Sequence, residues 1–258
     1  MRLLAFLVFT LVAARSSEAG TPETVTPAAE TPATDFDHSR LDTLLRKRVS
    51  ETGAVDYRGL RKDVAELDRY IADLGRASFA KLPTNARLAF WINAYNAFTL
   101  KLIVDHPGIK SIKDIPSNKR WKGRKWRLPT GNFTLDEIEH RLIRKNFREP
   151  RIHFALNCAS ISCPILRREA YTAAKLDRQL DDQTRRAHTD KRWFTFDAKN
   201  NRVRLSKLFD WFADDFEHAG GVVVFAARYS PELAKAVARR SNPRVSFIDW
   251  DWSLNGAN

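Results

Sequence analysis

Cysteine is nearly absent from this sequence. Only two occur, Cys158 and Cys163, so a scaffold stapled by many disulfides is excluded, and zinc binding would want closer cysteine pairs and further ligands. No glycine-rich nucleotide loop, serine-hydrolase elbow or zinc-protease helix signature is present, and no cofactor or metal is called for. Repeats of 20 to 50 residues are also missing, which excludes a solenoid. Beyond the N-terminus no apolar run is long enough to cross a bilayer, so no transmembrane segment is expected.

What the N-terminus does have is Arg2, an apolar run from Leu3 to Ala14, and small residues around Ser17 and Ala19. That pattern predicts a cleaved export signal over 1–19, hence a periplasmic or secreted protein. Residues 20–36 are rich in Thr, Pro, Ala and Glu, with almost no large apolar side chain, and are expected to form a disordered linker. Residues 37–258 then make one domain. The formal net charge is +13, and cleavage of the signal would leave about +12. In an exported protein such a charge points to an anionic envelope surface or an acidic small molecule rather than to nucleic acid.

Along the chain, helical spacing is expected over Leu41–Val49, Leu60–Leu74 and a mostly apolar segment after Thr84 that ends at His106. The last of these places Asn93 and Asn96 on one side of a central helix, as core staples or as the rim of a site. Lys119–Arg127 interleaves cations with Trp121 and Trp126 and reads as a twisted hairpin with wet lysines. Thr134 and Glu137 form a capping box for a helix bearing Glu139, His140 and Arg144. A further helix over 176–184, a hairpin over 193–205, a helix capped by Ser206, another capped by Ser230, and a closing strand Val245–Trp252 complete a helix-rich α+β fold on a small, mostly antiparallel sheet. Asp214 and Asp215 fall on what reads as a wet helix side.

Chemistry concentrates in RIHFALNCASISCP, residues 151–164. The pattern predicts a strand carrying His153, a polar turn at Asn157 and Cys158, and a helix that starts at Pro164 and sets Cys163 at a positive helix end. A thiol activated there, with His153 as base, would serve nucleophilic catalysis, and Asn157, Asn93 or Asn96 could polarise a carbonyl. Two cysteines five apart can equally form a disulfide.

FWINAYNAFTL, TLDEIEHRLIR, RIHFALNCASISCPIL and DWDWSLN, in that order, resemble the domain of unknown function 547 (DUF547) over roughly Leu82 to Asn255. A looser similarity, to papain- and transglutaminase-like thiol enzymes, implies a cysteine at a helix N-terminus facing a strand histidine. The order here departs from it, because both cysteines follow His153. Two functions from different classes remain open. One is a thiol-dependent hydrolase or acyl-transferase for small peptide or amide substrates, with Cys158 or Cys163 as nucleophile and Glu139, His140, Arg144, Asn93 and Asn96 lining the site. The other is a non-catalytic envelope module binding an acidic ligand.

Overall fold

Helix α4, Thr84–Val104, is the axis of the domain, and nearly every side chain from Ala86 to Val104 is buried. A helix apolar on all faces has to be surrounded. Here α1 (Ser39–Arg48), α2 (Tyr57–Lys62) and α3 (Val64–Leu74) cover one side of the core. In this computed structural model residues 35–256 are described. The expected export signal, and the linker as far as residue 34, lie outside the described residues. The last two linker residues belong to the fold: Asp35 accepts a hydrogen bond from the Ala173 N–H at 2.7 Å, and Phe36 meets the Phe90 ring edge-on at 5.3 Å.

Thr84 opens α4 without making a side-chain cap, because Pro83 occupies the capping position. The single helix expected over Leu60–Leu74 is broken at Asp63, whose carboxylate is held by Lys47 and Arg48. The Thr134–Glu137 capping box is formed, and helix α5, Leu135–Glu137, continues as wider π-helical turns over Ile138–Arg144. The wider turn shifts the inward face, so that Ile143 is buried and Leu142 only partly so.

The hairpin of the basic segment starts later than the spacing implies: β1 (Trp126–Leu128) pairs antiparallel with β2 (Gly131–Phe133). Trp126 stacks on Phe98 of α4 at 4.4 Å, and Trp121 stays outside the hairpin. Helix α6, Leu176–Thr189, leads to β3 (Phe194–Asp197) and β4 (Arg202–Ser206), an antiparallel pair to which β5 (Arg244–Ile248) adds in parallel. Between them lie α7 (Leu208–Trp211), a 3₁₀ segment Ala213–Ala219, α8 (Gly221–Ala227) and α9 (Pro231–Ala238). The Ser206 helix is thus one turn before it tightens, α8 was unanticipated, and Ser230 caps α9 as its sequence implies. This is the helix-rich α+β domain read from the sequence. Among the described residues no helix is long and apolar enough to cross a membrane.

Two apolar clusters form the core. One is built on α4; the other gathers Phe154, Phe209, Phe216, Phe225 and the sheet. Residues 151–164 run between them, and that is where the site lies.

Candidate functional site

The strand expected to carry His153 is not formed. Pro150–Phe154 forms a 3₁₀ turn, because Pro150 fixes the first helical φ and the Glu149 carboxylate accepts from the Arg151 N–H at 3.1 Å. His153 sits on this turn. No helix starts at Pro164 either, and Cys163 is not at a helix end. The backbone groups that a helix would use internally are taken by side chains. Asn157 Nδ2 donates to Pro164 O (2.7 Å), Gln183 Nε2 to Ile165 O (2.7 Å) and Gln179 Nε2 to Ala170 O (2.9 Å). The helix-end cysteine and strand-borne histidine implied by the looser similarity are therefore both missing at these positions.

Asn93 and Asn96 explain what holds the stretch in place. Asn93 Nδ2 donates to Tyr171 O at 2.7 Å and its Oδ1 accepts from Tyr171 N at 2.9 Å; Asn96 does the same with Ala155 O (3.0 Å) and Asn157 N (2.9 Å). Each amide imitates a strand neighbour inside an apolar helix, which meets the burial cost of both partners. Asn157 is equally committed: its Oδ1 accepts from Ala159 N at 2.9 Å and from Asn255 Nδ2 at 3.2 Å. All three amides are thus tied to neighbouring backbone, which is a structural role.

Ala159 adopts a left-handed φ of 64°, fixed by that Asn157 bond, and reverses the chain. The reversal brings Cys158 and Cys163 to a Cα separation of 6.0 Å, where they are disulfide-bonded. Of the alternatives left open, the disulfide is the one present. Cys158 is half-buried and Cys163 buried, and the Cys158 N–H donates to Cys163 Sγ at 2.9 Å. The C-terminal segment laces this loop: Ser160 bridges to Leu254, and Trp250 Nε1 donates to Ser160 Oγ at 3.0 Å. Trp250 and Trp252 are carried by this strap, past the end of β5.

Beside the disulfide opens a cleft of about 390 Å³ that His153, Glu139, His140, Cys158 and Cys163 all border. Its walls are aromatic. Trp211 lies 4.8 Å from Trp250 and 6.0 Å from Trp252, and Trp121 lies 5.9 Å from Trp252. Trp211 is 46 % exposed, high for so large an apolar side chain. Arg120, Lys122, Asp136 and Glu139 bring charges of both signs to the cleft lining, with Lys122 Nζ 3.8 Å from Asp136. Tyr95 borders the cleft as well; burial first, and the neighbouring Glu139 carboxylate second, push its phenol well above the usual range. Of the expected site residues, Asn93, Asn96, Asn157 and Arg144 do not line this cleft. Among the described residues no group of three or more His, Cys, Asp or Glu could hold a metal ion.

Arg144 acts one layer back. It forms a two-pronged pair with Asp215 (2.5 and 3.0 Å) and approaches His140 Nδ1 at 2.7 Å. Asp215 Oδ2 also lies 2.7 Å from His153 Nε2, and the imidazole stacks on Phe212 at 4.1 Å. Burial alone would raise the Asp215 pKa, but hydrogen bonds from His153 and Arg144 and their charges hold it well below the usual carboxylate range. The ionised carboxylate makes Nε2 the donor, so the neutral ring carries its lone pair on Nδ1. Asp215 is thus not a wet residue, and sequence reading missed its role. Nothing local separates it from Asp214, since its partner lies 62 residues away.

No curated protein and no solved structure matches this chain. The aromatic strap, Trp211 and Asp215 lie beyond the stretch that a known family covers, whereas α4, His153 and both cysteines lie within it. Residues 79–186 match the family described as Protein of unknown function, DUF547.

Proposed function

We propose that the protein is an exported thiol-dependent hydrolase or acyl-transferase, acting in its reduced state on small peptide or amide substrates held in the aromatic cleft. The observation that carries this reading is that His153, hydrogen-bonded to Asp215 behind it, borders the same cleft as Cys158. A histidine oriented by an ionised carboxylate is the arrangement that lets imidazole take a proton from a nucleophile and return it to a leaving group. Cys158, the more exposed of the two residues, is the nucleophile once the disulfide is opened. Its thiolate attacks the carbonyl carbon, the C–N bond breaks, and the amine leaves with the proton from His153. Water, or an acceptor amine, then releases the acyl group from sulfur.

The test is turnover of a panel of peptide anilides and thioesters by the reduced protein, beside Cys158→Ser and His153→Ala. Activity abolished by both substitutions supports the reading. Turnover that survives Cys158→Ser overturns it.

One observation favours a second reading. Both sulfurs are bonded, and the tryptophan wall with Lys113 4.0 Å over Trp252 suits an acidic ligand with a flat apolar face, held without chemistry. That reading expects equal ligand retention by the oxidised protein and by Cys158→Ser.

A further inference from the structure

The two sulfurs of the disulfide are not equivalent. Both residues border the aromatic cleft, but Cys158 is half-buried whereas Cys163 is only 5 % exposed and its Sγ accepts the Cys158 N–H at 2.9 Å. Thiol–disulfide exchange has two requirements: an accessible sulfur to attack, and a partner sulfur able to leave with the electron pair. Access selects Cys158. A backbone N–H pointing at sulfur stabilises negative charge there, so the leaving thiolate is favoured at Cys163.

We infer that the Cys158–Cys163 pair is a redox-active site that exchanges with a thiol-bearing small molecule or peptide entering the aromatic cleft, Cys158 being the sulfur attacked and Cys163 the leaving and resolving thiolate. This rests on the reading of Cys158 as the reacting sulfur of the cleft. The incoming thiolate forms an S–S bond to Cys158 as the Cys158–Cys163 bond breaks, and the electron pair stays on Cys163. A second thiol attacks the mixed disulfide at the incoming sulfur and frees Cys158 as thiolate. The net change is two thiols oxidised to one disulfide and the protein pair reduced to a dithiol. In the opposite direction Cys163 attacks the mixed disulfide at Cys158, expels the bound thiol and restores the protein disulfide.

The walls support a thiol ligand with some apolar bulk. His153, which borders the same cleft, accepts the proton that the incoming thiol must lose.

The experiment uses the oxidised, folded full chain with glutathione as the thiol, stopped with iodoacetamide and mapped by mass spectrometry. The expected result is glutathione on Cys158 and the alkyl group on Cys163. Folded Cys163→Ser should also exchange with a small aromatic disulfide at least about tenfold faster than folded Cys158→Ser. Glutathione found on Cys163, equal rates in the two variants, or a disulfide reduced only after unfolding in urea would each overturn the inference. If a variant does not fold, the mapping of the wild-type chain still decides. Failure here is separable from failure of acyl transfer, because Cys163→Ser leaves Cys158 free. An active Cys163→Ser with a wild-type disulfide inert to glutathione removes only the exchange. An inactive, folded Cys163→Ser with the adduct on Cys158 removes only the acyl chemistry.

Discussion

His153 and Asp215 are hydrogen-bonded at 2.7 Å across 62 residues of chain, one from the 3₁₀ turn Pro150–Phe154 and the other from the 3₁₀ segment that follows α7. Arg144 clamps the far side of the same carboxylate, so Asp215 is held between a guanidinium and the ring. Asp215→Asn keeps the shape but removes the charge and offers an N–H where Nε2–H needs an acceptor. The expected outcome is a loss of turnover of about 10² to 10⁴-fold, as for a mis-set tautomer. Alkylation of the reduced Cys158 followed against pH should show its half-point moved upward. An unchanged alkylation profile would show that the pair is structural.

Asn93 and Asn96 each satisfy a buried N–H and a buried C=O of neighbouring chain. Asn93→Leu would strand both groups of Tyr171, at about 1 to 3 kcal/mol for each group left unpaired. Urea unfolding should show the midpoint fall with the slope unchanged, and Asn96→Leu should behave alike. Stability within about 0.5 kcal/mol of the parent, the usual range for a surface change, would contradict the staple role.

The staples also show what was legible in the sequence and what was not. The apolar surround of α4 made buried amides at Asn93 and Asn96 visible, because polar groups inside an apolar helix need partners. Their partners, Tyr171, Ala155 and Asn157, were invisible, since no local pattern encodes a contact 59 to 78 residues away. The strand expected for 151–157 failed for a related reason. An apolar run of that length is compatible with a strand or a buried turn, and Pro150 with the Glu149 cap decided the matter locally. The helix expected at Pro164 failed because Asn157, Gln183, Gln179 and Asn93 compete for its backbone. Capping boxes, hairpins and amphipathic helices, which depend on near neighbours, were read at Thr134, over 193–205 and in α6. The aromatic cleft depends on a strap returning from the C-terminus, so only its parts could be seen.

Two buried histidines give the fold a pH dependence with a definite sign. His38 and His188 both have pKa values lowered to about 4, chiefly because burial penalises the charged ring. Their unfolded value is near 6.5. The unfolded chain therefore binds more protons between these values, and stability falls as pH drops from about 6.5 to about 4, levelling below. At about 1.4 kcal/mol per pKa unit, each histidine accounts for up to about 3 kcal/mol. His188 packs among Phe154, Phe194, Phe209 and Tyr229, and its Nε2 has no partner. Urea melts between pH 4 and 7.5 should show the decline, and His188→Phe should flatten part of it. A parallel curve in that variant would assign the decline elsewhere.

Phe36 fixes where the folded unit begins. Composition places it in a spacer, yet its ring meets His38 at 4.9 Å, Phe90 at 5.3 Å and Tyr70 at 6.2 Å, while Asp35 holds the Ala173 N–H. A single aromatic ring in a polar run carries no periodicity, so the pattern of residues 20–36 could not reveal it. Partial burial of such a ring contributes on the order of 1 to 2 kcal/mol, and the Asp35 bond about 1 kcal/mol more. A chain starting at Asp35 should melt like one starting at Gly20, whereas one starting at Asp37 should melt several degrees lower. A smaller loss, the share of the ring alone, is expected from Phe36→Ala in the longer chain, because the Asp35 bond is kept. Equal melting temperatures for the chains starting at Asp35 and Asp37 would return Phe36 to the spacer and leave α1, with Leu41, Leu44 and Leu45, as the first packed element.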